Sequence, residues 1–210
     1  MKIGVIGANG NLGCKLVKQA IERGIEVKGF VYDNDDRYIN KSLFDLSKSD
    51  IEDIDVLISA FGSGFKVDPI VNKDAFIKYI ELLENSNKKL ITIAGAGSLY
   101  CDRSHTLYEY QSDSHPPKLK DISKNIRLGI NEIERNKSFS WVVVCPSRVF
   151  DLNGEYTKDY LVGVDNEIIY NEDDNSYVSY DDLACAMLDV ASNDLYNHQV
   201  ITIASRKGGK

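Results

Sequence analysis

The chain has 210 residues, a formal net charge of −7 and four widely spread cysteines. That length suits one well-buried domain, and the acidic balance without long Lys/Arg runs excludes a nucleic-acid partner bound through a broad basic face. No stretch approaches the roughly 18–20 apolar residues of a membrane span. The N-terminus does not read as a signal peptide, so a cytoplasmic protein with no membrane partner is expected.

Taken in order, Ile3-Gly4-Val5-Ile6 reads as a first buried strand. It runs directly into Gly7-Ala8-Asn9-Gly10-Asn11-Leu12-Gly13. Glycines at such a strand-to-helix turn let the backbone approach a pyrophosphate, and the positive end of the helix attracts it. The spacing is G-x-x-G-x-x-G, and its context strengthens it. Gly13, Leu16, Val17, Ala20, Ile21 and Gly24 follow at helical spacing, and Glu26–Val31 reads as a second strand. Cys14 is expected as a small residue packed under the turn, Cys145 and Cys185 as core hydrophobes. No cysteine or histidine has zinc-ligand spacing.

At the end of the second strand, Tyr32-Asp33-Asn34-Asp35-Asp36-Arg37 carries the residues that choose a cofactor. Asp33 occupies the acidic position that bonds the ribose of NAD; the alternative is an Asx turn. Three nearby carboxylates repel a 2′-phosphate, unless Arg37 folds back to offset them. NADH is therefore slightly favoured over NADPH.

Ser42–Leu46 is read as a third strand, Asp55–Ala60 as a fourth, Lys89–Ala94 as a fifth, Ser140–Cys145 as a sixth and Gln199–Ala204 as the last. Helical stripes run through Phe76, Tyr79, Ile80 and Leu83, through Ile122, Ile126, Gly129, Ile130 and Ile133, and through Leu183, Ala186, Met187, Val190 and Ala191. This alternation predicts an α/β fold, a Rossmann-type doubly wound parallel sheet with helices on both faces and a small C-terminal substrate-side segment. Residues 1–205 form a single domain, and 206–210 are expected as a disordered tail.

Ligands of such sheets bind beyond the carboxyl ends of the strands, which selects residues 7–13, 60–68, 94–120 and 146–165. Ala60, Phe61 and Gly62 supply small residues where ribose and pyrophosphate pass. Ala96 and Ser98 end the fifth strand, with Ser98 facing the nicotinamide as the catalytic candidate. Pro146-Ser147 ends the sixth, beside the carboxamide. Phe61, Phe150 and Tyr100, Tyr108 and Tyr110 are candidates for stacking a flat substrate. The long segment from Gly95 is a lid, a partner-binding surface or a mobile surface excursion. Ser179-x-x-Asp182 reads as a capping box, and Glu172-Asp173-Asp174 as a solvated turn without calcium-loop spacing.

Five stretches together resemble the atypical short-chain dehydrogenases. These are Lys2–Gly13, Leu57–Gly62, Gly95–Leu99, Val143–Ser147 and Val178–Ala184. Within that superfamily they resemble the NADH-flavin reductase, biliverdin-reductase-B-like and NmrA-like group. The resemblance spans nearly the whole chain, and Ala94-Gly95-Ala96-Gly97-Ser98-Leu99 is its most specific sign. It implies that Gly7, Asn9, Gly10, Asn11, Leu12 and Gly13 hold the pyrophosphate and that Asp45 and Leu46 lie near adenine. Ala60, Phe61 and Gly62 would line the ribose, and Ser98 would face the nicotinamide. It further implies hydride transfer from NAD(P)H to FMN, FAD or a similar flat small-molecule acceptor.

Two departures matter. Tyr32 stands where relatives often place a phosphate-binding Arg. No tyrosine is followed four residues later by lysine, so the acid pair of alcohol–ketone chemistry is missing. Flavin reduction needs less, because the cofactor carries the hydride chemistry and the protein aligns two rings. The alternative is a non-catalytic NAD(P)-sensing regulator of the same fold. A sugar-nucleotide epimerase is disfavoured, and the sequence leaves a homodimer open.

Overall fold

The computed structural model describes residues 1–193 and 196–209. Ten strands and four α-helices follow in chain order: β1 (Lys2–Ile6), α1 (Asn11–Glu22), β2 (Glu26–Val31), β3 (Ile39–Asn40), β4 (Val56–Ser59), α2 (Val71–Leu83) and β5 (Lys89–Ile93). Then come α3 (Lys120–Glu134), β6 (Ser140–Pro146), β7 (Val149–Asp151), β8 (Tyr160–Gly163), β9 (Tyr177–Ser179), α4 (Tyr180–Ser192) and β10 (Gln199–Ser205).

Eight strands form one sheet in the order β3-β2-β1-β4-β5-β6-β10-β8, and β7 pairs with β9 separately. Every pairing in the large sheet is parallel except β10 with β8. The chain starts in the middle, winds outward to β3, and returns to β4 on the other side of β1. The strand order reverses between β1 and β4, which opens a crevice at their carboxyl ends.

Alternation along the strands builds two cores. Ile3, Val5, Ile58, Ile91, Val142, Val144, Ile201 and Ile203 face α1 and α4. Ile6, Leu57, Leu90, Val143 and Cys145 face α2 and α3. Successive strand residues point to opposite faces, so a sheet covered on both sides needs unbroken apolar runs.

Several expectations are corrected. Ser42–Leu46 is not a strand: Leu43–Asp45 is a 3-10 turn. Leu43 and Leu46 are both buried at a spacing of three, while Phe44 between them is exposed. That spacing fits the three residues per turn of a 3-10 helix, not strand alternation. The true third strand is the two-residue β3, paired with Phe30 and Val31. Ile21 is 63% exposed and stands off the buried face of α1. Cys14 is exposed; Gly13 takes the buried place beneath the turn.

The residues after Ser205 are tied down where a free tail was expected. Arg206 Nε bonds Asp159 at 2.7 Å, and the Gly208 amide donates to Asp173 at 2.8 Å. Lys210 lies outside the described residues.

Candidate functional site: a groove across the carboxyl ends of the strands

The glycine turn is built as the spacing requires. Gly7 has φ +75°, and its amide donates to the Phe30 carbonyl at 2.8 Å. A Cβ on Gly13 would lie 2.7 Å from the Gly7 carbonyl carbon, 2.9 Å from Ala8 Cα, and closer still to the Gly7 oxygen. Glycine there lets α1 pack directly onto the end of β1. Gly10 is the N-cap of α1; it gives no side-chain cap, and no acidic residue sits in the first turn. The first helical N–H groups have no intrahelical acceptors. An uncapped, uncharged helix start in a glycine cradle fits a pyrophosphate.

Three adjoining cavities spread from this turn. The first, about 380 Å³, is lined by Gly7, Asn9, Tyr32, Asp33, Lys41, Ser42, Leu43, Phe44 and Phe61 among others. It lies beyond β1 and β2, where an adenosine half belongs. Asn9 Nδ2 lies 3.4 Å from Asp33 Oδ1, and Phe44 meets Phe61 edge-on at 6.0 Å.

The cations near this cavity are engaged. Arg37 makes a forked contact with Asp35 at 2.9 and 2.6 Å, so it does not fold back into the cavity. That pairing holds the Asp35 carboxyl below its usual range. Lys41 Nζ bonds Asp50 at 2.6 Å. With hydrogen bonds from Lys41 and Ser47, Asp50 titrates at about 2.

The second cavity, about 580 Å³, holds Gly10, Asn11, Leu12, Ala60, Phe61, Gly62, Ile93, Ala94, Ile126, Phe150 and Tyr180. It shares Gly10, Ala60, Phe61, Gly62 and Ser63 with the first, so the two form one groove over the switch point. Deeper in its wall, Tyr79 bonds Ser59 at 2.7 Å, and burial pushes its hydroxyl up to about 12. Phe150 and Tyr180 stack face to face, 3.6 Å apart.

The third, about 510 Å³, lies beyond β5 and β6. Gly95, Ala96, Gly97, Glu109, His115, Ser123, Pro146, Ser147 and Arg148 line it. It shares Ala94, Leu119, Ile122, Ile126 and Phe150 with the second. Arg148 grips Glu109 through Nε and Nη2 at 2.9 and 2.7 Å, and this carboxylate raises the guanidinium pKa.

Gly7, Asn9, Gly10, Asn11, Leu12, Tyr32, Asp33, Ala60, Phe61 and Gly62 thus converge on the groove. Ala96, Pro146 and Ser147 border the third cavity. Ser147 is buried, its hydroxyl donating to the Ile203 carbonyl. Asp45 and Leu46 line neither half of the groove; Asp45 accepts from Ser42, and Leu46 is core. Their place is taken by Ser42, Leu43 and Phe44, because the 3-10 turn shifts which residues face the crevice.

Ser98 is fully buried and donates to the Gly95 carbonyl at 2.7 Å, and it lines none of these three cavities. Tyr100, Tyr108 and Tyr110 stack on one another outside all three cavities. Sequence reasoning missed His115, Ser123, Glu109, Arg148 and Tyr180. Only the fold brings them together, and the available signal was the strand-end rule, whose segments 94–120 and 146–165 contain Glu109, His115 and Arg148.

A family model for NAD(P)H-binding proteins matches residues 7–194. The uncharacterized Bacillus subtilis (strain 168) protein YwnB is 30% identical over 98% of this chain and 99% of its own length. A solved structure from Streptococcus pneumoniae TIGR4, provisionally described as an NADH-flavin reductase, is 28% identical with a TM-score of 0.91, covering 98% of this chain and 99% of that one. A Lactobacillus casei structure at 23% identity and TM-score 0.87, covering 99% of this chain and 100% of its own, shares the fold. The glycine turn, the switch-point groove and these matches agree: the chain belongs to the NAD(P)H-binding family and has the fold of the atypical short-chain dehydrogenases.

Proposed function

We propose that this protein is an NADH-preferring reductase that passes hydride to a flavin or a similarly flat acceptor held in the cavity beyond β5 and β6. The observation that carries this reading is continuity. The switch-point groove opens through Ala94, Ile126 and Phe150 into a separate 510 Å³ space. A protein that only senses a dinucleotide has no need of an open second cavity at its reactive end. The 28% identity to the Streptococcus pneumoniae protein supports the same class.

Gly7, Gly10 and Gly13 would hold the pyrophosphate against the start of α1, with Asn9 and Asp33 at the adenosine ribose. Bound NAD(P)H supplies the hydride. Ala60, Gly62, Ile93 and Ala94 exclude water along the ring's path. Phe150 forms the wall shared by donor and acceptor spaces, and so sets how closely two rings approach. The preference for NADH rests on Asp33 at the ribose position and on Arg37 and Lys41 being held by Asp35 and Asp50.

Steady-state oxidation of NADH and NADPH with FMN tests the proposal. Saturable turnover is expected, with NADH the better substrate. Asp33→Asn should weaken NADH by about tenfold, the order expected from losing a charged hydrogen bond, and strengthen NADPH by removing one of the carboxylates that repel its 2′-phosphate. Turnover with NADPH alone would overturn the cofactor assignment, and cofactor binding without any turnover would favour the sensing reading.

A further inference from the structure

We propose that His115 and Ser123 form a proton relay serving the acceptor cavity, an inference that rests on the reductase reading. Three titratable side chains line that cavity: Glu109, His115 and Arg148. Two of them neutralise each other, since Arg148 forks onto the buried Glu109 carboxylate. His115 is the one left to exchange a proton. Its Nε2 lies 3.1 Å from Ser123 Oγ, and its ring also hydrogen-bonds the Leu119 backbone. Both side chains reach the cavity wall from the chain around the start of α3.

A second feature points to the same pair. Gly97 sits in the middle of the turn after β5, and a Cβ there would lie 2.6 Å from Ser123 Cβ and 2.8 Å from His115 Cε1. The bare backbone at Gly97 is what lets the pair sit against the end of β5. Tyr180, the other candidate acid, lines the donor groove and is stacked on Phe150. Tyr79 is spent on Ser59.

The acceptor gains two electrons and one proton as hydride, and the dihydronicotinamide is oxidised to nicotinamide. An electron pair then builds on the conjugated nitrogen or oxygen at the acceptor's edge. Ser123 Oγ–H gives its proton to that atom and takes one from Nε2 of protonated His115. The neutral imidazole recovers a proton from water, so one solvent proton is consumed per turnover. Acceptors suited to the cavity are therefore flat rings with a carbonyl or imine edge.

His115 is half-buried, and burial lowers its pKa from 6.5; Glu109 opposes the shift and Lys120 adds to it. In the wild type, kcat with NADH and FMN should fall as pH rises through a value below 6.5. His115→Gln should cut kcat by about 100-fold, the usual scale for losing a general acid, and flatten the profile. Ser123→Ala should do the same while His115 still titrates. NADH affinity, read by fluorescence titration, should be unchanged in both. In cofactor-free protein, FMN should shift the His115 ring resonances and leave those of His198, which contacts the Phe139 carbonyl, unmoved. If the wild type turns over and both variants keep its kcat and pH profile, the relay is wrong. If the wild type binds NADH but reduces no acceptor, the reductase reading itself fails, and the relay with it.

Discussion

Gly13 shows how one missing atom sets up a site. No side chain fits between α1 and the Gly7 carbonyl, so the first helical amides face the crevice from the very end of β1. Gly13→Ala should destabilise the fold by about 1–3 kcal/mol, the usual cost of overpacking, and weaken NADH by more than tenfold; thermal melting and fluorescence titration check the two effects. Gly7, Gly10 and Gly13 were legible because a turn of this kind imposes their spacing. Ser98 was not. Its position after β5 suggested a hydroxyl facing the cofactor, but a short 3-10 turn at Ala96–Ser98 rotates it inward onto the Gly95 carbonyl. A sequence places a residue near a strand end, but the local turn decides where its side chain points.

Long periodic elements were read well, because burial on two faces leaves a pattern in every strand and helix. Short ones were not. The two-residue β3 carries too little pattern to see, and the segment around the 3-10 turn at Leu43–Asp45 imitates a strand by its density of apolar residues, Leu43, Phe44 and Leu46. The capping box at α4 was half right. Ser179 accepts from the Asp182 amide at 3.0 Å, but the Asp182 carboxylate does not return to the cap. It accepts instead from the Thr157 and Lys158 amides and the Thr157 and Ser205 hydroxyls, all within 2.9 Å. This fully buried carboxylate ties the segment before β8 to the end of β10 and the start of α4. Asp182→Ala should cost about 3 kcal/mol by orphaning those donors, measurable by urea unfolding.

Beside the cavity beyond β1 and β2, Asp50 links the 3-10 turn at Lys48–Ile51 to Lys41. Its pKa is lowered from 3.8 to about 2 in the folded chain, by Lys41 first and then by Ser47. A depressed carboxylate pKa stabilises the fold above the unfolded value and loses that contribution as pH falls. Stability should therefore drop between about pH 4 and pH 2. Asp50→Asn should flatten that part of the acid-unfolding curve.

At the scale of the whole molecule, strand order places chemistry that no single motif encodes. The β1–β4 reversal makes the switch-point groove, and the chain leaving β5 and β6 walls the third cavity. The sequence marked both strand ends and left the long segment from Gly95 open among a lid, a partner-binding surface and an excursion. In the structure its beginning and end line the third cavity and Glu109 joins them from its middle, while the neighbouring tyrosines pack against each other away from it. That division depends on long-range contacts such as the bridge from Tyr100 to Glu167, which local pattern does not reveal.

In the proposed function hydride passes directly between two adjoining spaces. Anaerobic stopped-flow mixing of the protein and FMN with NADH deuterated at the transferred C4 position tests it most directly. Bleaching of FMN at the rate of NADH oxidation is expected, slowed by a primary isotope effect, and needing more than tenfold higher NADH in Gly13→Ala. FMN that stays oxidised while NADH is bound would contradict it.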